Sequence, residues 1–134
     1  MSDRAFLDTS IFVYAIRQDD PRSLPAEELI SAGGKISVQV LNEFAAVVRR
    51  KTKMSWDDVQ VALESIEALC PGPLPVTIDT HKRALAIARK YQYGVYDALI
   101  VASALEAGCT ILYSEDMQDG QVIDRRLTIR NPFR

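Results

Sequence analysis

The chain has 134 residues, 48% of them hydrophobic and 25% charged, a balance that fits one globular domain and excludes a disordered or fibrous chain. Its 18 acids against 16 lysines and arginines leave a net charge of -2, so a uniformly basic nucleic-acid coat is excluded and any such contact needs a local patch. Cys70 and Cys109 have neither C-x-x-C spacing nor a partner histidine, which argues against a zinc site or disulfide framework and for a reducing cytoplasm. The longest early apolar run, Ile11 to Ile16, is too short for a signal-peptide core or a membrane span.

Short apolar runs alternate with helix-period segments. Ala5-Phe6-Leu7 predicts a first strand, and Asp8-Thr9-Ser10 a turn into a helix. A short helix is expected around Ala26 to Ala32, bracketed by Pro21, Pro25 and Gly33-Gly34, followed by a second strand at Lys35-Ile36-Ser37. Ser37 would cap the next helix, Val38 to about Lys51, in which Leu41, Phe44, Ala45 and Val48 share a face. Ser55 to Asp58 opens a further helix, carried by Val59, Ala62, Leu63, Ile66 and Leu69 and stopped by Pro71 to Pro75. Val76-Thr77-Ile78 before Asp79 repeats the strand-to-cap pattern, and Ala84, Ile87, Ala88 and Tyr91 form a stripe ending at Gly94. The last expected elements are a helix from about Tyr96 to Ala107, closed by Gly108, and a strand from Thr110 to Tyr113. Strands separated by helices predict parallel pairing in a three-layer α/β/α domain spanning residues 1–134.

In parallel sheets the ligand crevice lies beyond the carboxyl ends of the strands, which makes Asp8, Asp79 and Asp116 candidates. Each has an ordinary alternative as an N-cap or turn aspartate. Glu43 interrupts an otherwise apolar helix face and needs a partner, either a base such as Arg49 or Arg50, a donor, or a cation. Asp97 stands under Ile100, Val101 and Ala104, as a cap, as a first-turn acid, or as part of a site. Acids converging on one cleft would require a hard cation, and an oxygen-only donor set suits Mg²⁺ or Mn²⁺. Such a site fits phosphodiester hydrolysis. The lone His81 has no placed serine or cysteine partner, and neither a P-loop nor a dinucleotide-binding glycine pattern occurs.

Phe6-Leu7-Asp8-Thr9-Ser10, Asn42-Glu43, Tyr96-Asp97-Ala98-Leu99-Ile100 and Ser114-Glu115-Asp116 together resemble the PIN-domain nucleases, particularly VapC-type toxins of toxin-antitoxin pairs. The resemblance implies an α/β/α domain that binds Mg²⁺ or Mn²⁺, cleaves RNA, forms a homodimer and is restrained by an antitoxin protein. Asp8, Glu43 and Asp97 match the family's three core acids and Asp116 the fourth, with Thr9 and Ser114 in supporting positions. Asp79 matches none, and Glu115 or Asp119 could stand in for Asp116. Arg49, Arg50, Lys51 and Lys53 form the densest basic run, either an RNA contact or a solvated helix end favoured by the helix dipole. Two other readings stay open: a catalytically silent module that only binds a partner, and a phosphoryl-acceptor or phosphatase domain on a similar sheet. Against the latter, Asp8 has no paired acid, no D-x-D start occurs, and Leu127 to Arg130 supplies no lysine.

Overall fold

The computed structural model describes residues 4–134, so the first three residues of the expected domain lie outside the described residues. Strand β1 (Ala5–Leu7) is followed by α1 (Thr9–Ala15), α2 (Ser23–Ala32), α3 (Val38–Lys51), α4 (Trp56–Leu69), α5 (Ile78–Tyr91) and α6 (Val95–Glu106). Strands β2 (Ile111–Tyr113), β3 (Val122–Ile123) and β4 (Leu127–Arg130) complete the chain. The sheet order is β1-β2-β4-β3, with β1, β2 and β4 parallel and β3 antiparallel to β4. This is the α/β arrangement expected, with six helices around a mostly parallel four-stranded sheet.

The register explains where the core sits. Phe6 pairs with Leu112 and Leu112 with Ile129, and because side chains alternate along a strand these three fall on one face, where all are fully buried. Burying each contributes about 1.5–3 kcal/mol relative to exposure, and truncating one to alanine costs about 2–5 kcal/mol. Helix α6 is buried continuously from Ala98 to Leu105 and packs against α5 and α3. Being apolar all round, it is the fold's central helix. In α3 the fully buried positions are Val40, Phe44 and Val48, while Leu41 and Ala45 are half-buried beside them.

Two expected strands are reduced. The stretch at Lys35-Ile36-Ser37 runs parallel to β1 but forms only isolated bridges, Phe6 with Lys35 and Ser37 with Leu74. Val76-Thr77-Ile78 is not a strand. Pro73 and Pro75 flank Leu74 and lack N–H groups, so Leu74 alone donates, to Ile36 O at 2.9 Å. Thr77 is instead the N-cap of α5 in a reciprocal capping box with Thr80, and that closes off extension of the strand. The β3–β4 hairpin was not foreseen. Its turn puts Asp124 and Arg125 at φ 50° and 59° without the glycine that usually signals such a turn.

Candidate active site

Because β1 and β2 are neighbours, the residues following them meet at one edge of the sheet although more than a hundred positions separate them. The Asp8 N–H donates to Tyr113 O at 3.0 Å, which ties the two strand ends together. The Asp8 carboxylate is 2% exposed. Its Oδ1 accepts from the Thr9 N–H at 2.7 Å and its Oδ2 from Ser114 Oγ at 2.6 Å. Ser114 Oγ also accepts from the Asp116 N–H at 3.1 Å, so one hydroxyl fixes the Asp116 backbone relative to Asp8. Burial pushes the Asp8 carboxyl up to about 7; the bonds from Ser114 and Thr9 oppose this, while the charges of Asp116 and Glu43 add to it.

The other three acids come from α3, α6 and the loop after β2. Glu43 is half-buried and raised by burial and by the charges of Asp97 and Asp116, against a hydrogen bond from Gln39 Nε2 at 3.0 Å. That bond is the partner Glu43 required, an amide one helical turn away rather than Arg49 or Arg50. Asp97 is raised by burial and then by Asp116. It is no cap: Gly94 holds that position and Asp97 lies in the first turn of α6. Asp116 is raised by burial and Glu115, with Lys51 pulling the other way. Asp116 is therefore within electrostatic reach of Asp8, Glu43 and Asp97, and each of the four is held above its ordinary value. Asp79 stands apart, exposed in the first turn of α5.

Glu115 and Asp119 are otherwise engaged. Glu115 Oε1 accepts from the Arg22 guanidinium at 3.0 Å, and that guanidinium lies 3.9 Å from the centre of the Tyr14 ring and is paired with Asp20 at 2.8 Å. Asp119 Oδ1 accepts from the Asn131 N–H at 2.8 Å. Asp116 is the loop acid whose charge reaches Asp8, Glu43 and Asp97.

Glu43, Asp116 and the Arg22-paired Glu115 line a hollow of about 140 Å³ with Thr9, Ser10, Tyr14, Arg17 and Lys51, while Asp8 and Asp97 lie outside its lining. Thr9 Oγ1 is buried there without a hydrogen-bond partner among the described residues. Among the described residues no three His, Cys, Asp or Glu side chains are already drawn together as a metal-ligand set. The chemistry of the hollow nonetheless suits a hard divalent cation: carboxyls raised first by burial and then by neighbouring negative charge, plus an orphaned hydroxyl oxygen, have a deficit that positive charge relieves.

The basic run divides. Lys51 lines this hollow, and Arg50 lines a second one with Gln39, Asn42, Glu43 and Tyr96. Arg49 instead stacks on Trp56 at 4.3 Å and donates to Met54 O at 2.7 Å, and Lys53 is exposed at neither hollow. Gln39, Arg17 and Arg22 carry no role in the sequence reading and Tyr96 enters it only as part of the motif around Asp97; the signal for Gln39 is its i,i+4 spacing to Glu43.

Residues 5–119 match the family model described as PIN domain, and the chain belongs to that family, a family of nucleases. Three solved structures are similar to it. A chain of a toxin-antitoxin complex from Klebsiella pneumoniae superposes with a TM-score of 0.70 at 18% identity, covering 96% of this chain and 97% of that one. A chain of the Rickettsia felis VapBC2 complex, bound to a DNA fragment from its promoter, gives 0.67 at 19% identity, covering 95% and 97%. Mycobacterium tuberculosis VapC20, described as a Sarcin-Ricin loop cleaving toxin, gives 0.63 at 20% identity, covering 84% and 89%. No curated protein matches the chain. The fold and family expected from the four motifs therefore hold. No helix among the described residues is long and apolar enough to cross a membrane.

Proposed function

We propose that the chain is a metal-dependent endoribonuclease acting as the toxin of a toxin-antitoxin pair. What supports this reading is that Ser114 joins Asp8 to the Asp116 backbone, that Asp116 shares a hollow with Glu43, and that the charge of Asp116 reaches Asp97. In this reading those four acids hold Mg²⁺ or Mn²⁺, and Thr9 and Ser114 support them. A bound divalent cation lowers the pKa of water and offsets charge on the phosphate and the leaving oxygen. The chain's own groups do the rest. Ser114 Oγ holds Asp8 and the Asp116 backbone in one frame. Each Asp8 oxygen accepts one hydrogen bond, which orients the carboxylate while leaving each oxygen a further lone pair for a cation. Asp116, exposed and lining the hollow, is the acid placed to take a proton from incoming water. Lys51 and Arg17 give the same hollow a cationic side that draws in a phosphate.

The likeness in fold to chains of toxin-antitoxin complexes supports an antitoxin protein as partner. A homodimer and a cytoplasmic setting complete the proposal. The test is cleavage of labelled RNA by the purified chain in Mn²⁺ and in EDTA, with Asp97→Asn alongside. Cleavage in Mn²⁺ alone, lost in a variant that still melts cooperatively, is expected; a folded variant cutting like wild type would leave the reading without its catalyst. A silent binding module cuts under neither condition.

A further inference from the structure

Tyr96 is 67% exposed, yet it immediately precedes Asp97 and lines a hollow of about 580 Å³ with Gln39, Asn42, Glu43 and Arg50. The α3 residues Gln39, Glu43 and Arg50 recur at helical spacing and so share one face. Glu43 and Val47 form a wall common to this hollow and to the one that holds Asp116. Arg50 forms no ion pair among the described residues, whereas its neighbour Arg49 is occupied by Trp56 and Met54. An exposed ring, an available guanidinium and a side-chain amide thus stand one wall away from the acids. We propose that Tyr96 and Arg50 form a subsite for one unpaired RNA base and its adjoining phosphate.

The proposal rests on the ribonuclease reading and narrows its substrate. A base can lie on the Tyr96 ring only after leaving its own stack, so the site takes single-stranded or splayed RNA rather than a continuous duplex. The Arg50 guanidinium meets the phosphate beside that base, and the Asn42 amide meets its edge. Continuity with the acidic hollow favours this occupant over a second protein chain.

The test measures binding of a short labelled single-stranded RNA by anisotropy in EDTA, where it is not cut. Tyr96→Ala weakens binding about 5- to 150-fold and Tyr96→Phe leaves it near wild type. An abasic site stepped along the RNA costs wild type a similar factor at one position and costs Tyr96→Ala nothing more there. Arg50→Gln lowers the slope of log affinity against log salt by about one. Unchanged binding by Tyr96→Ala, or equal abasic penalties in both proteins, overturns the subsite. So does a change in oligomeric state of Tyr96→Ala by light scattering, which would make this face a contact between copies. If wild type cuts RNA in Mn²⁺ while Tyr96→Ala binds normally, the subsite alone fails; if wild type neither binds nor cuts, the ribonuclease reading fails with it.

Discussion

Replacing Asp8 with asparagine in the metal-free protein should stabilise it at alkaline pH and destabilise it in acid. Burial raises the folded carboxyl from 3.8 to about 7, so between those values the folded state holds a proton that the unfolded chain has released. Stability therefore falls as pH rises through this window and levels off above it. At ~1.4 kcal/mol per tenfold, ionising Asp8 inside the fold costs about 4 kcal/mol at pH 8. Asparagine keeps the shape and an acceptor for the Thr9 N–H, but its NH₂ replaces the oxygen to which the Ser114 hydroxyl donates, at a cost of about 1 kcal/mol. In EDTA the variant should be more stable by about 3 kcal/mol at pH 8, roughly 10 °C in Tm. It should be less stable by about 0.4 kcal/mol at pH 4, with the curves crossing near pH 4.5. Urea unfolding or thermal melts at half-unit steps from pH 4 to 8.5 measure the difference, and the other titrating groups largely cancel in it. A difference that stays flat with pH, or a variant weaker than wild type at pH 8, would refute the reasoning.

Asp97→Asn should lower RNA cleavage by at least about 100-fold while leaving circular dichroism unchanged, because one charge is lost without a change of shape. Mn²⁺ at about 100 times its dissociation constant should stabilise wild type by about 2.7 kcal/mol in thermal melts, and Asp97→Asn or Asp116→Asn distinctly less. Glu115→Gln and Asp119→Asn should retain the full metal-dependent shift, since Arg22 and the Asn131 backbone already engage those acids; loss of the shift in either would return it to the site. Neutralising Arg50 and Lys51 together should flatten the salt dependence of RNA binding by about one to two units of slope, whereas Arg49→Gln should not, which separates the residues lining the hollows from the one stacked on Trp56.

Residues that obey a period were legible in the sequence. Val38 to Lys51 repeats its apolar positions every helical turn, and Ser55 with two acids behind it marks the start of α4. The acids were legible because Glu43 and Asp97 break apolar faces and Asp8 follows a strand. Contacts set by long-range pairing were not. Nothing near Glu43 announced that Arg49 would turn to Trp56, nor near Arg22 that it would reach Glu115, because both depend on how distant elements pack. Val76 to Ile78 had the composition of a strand and lost to a capping box. The β4 alternation of Leu127 and Ile129 inward with Thr128 and Arg130 outward was visible in principle, but its turn lacks the usual glycine.

The hydroxyl of Ser114 and the carboxylate of Asp8 lie at opposite ends of the polypeptide, and their bond closes only when β2 docks beside β1. During synthesis the amino-terminal acids emerge early and wait. A nascent chain made only as far as α6 carries Asp8, Glu43 and Asp97 without the strand that brings Ser114 to Asp8. On the ribonuclease reading, such a chain lacks the completed site, and a restraining partner is needed only once β2 has docked beside β1.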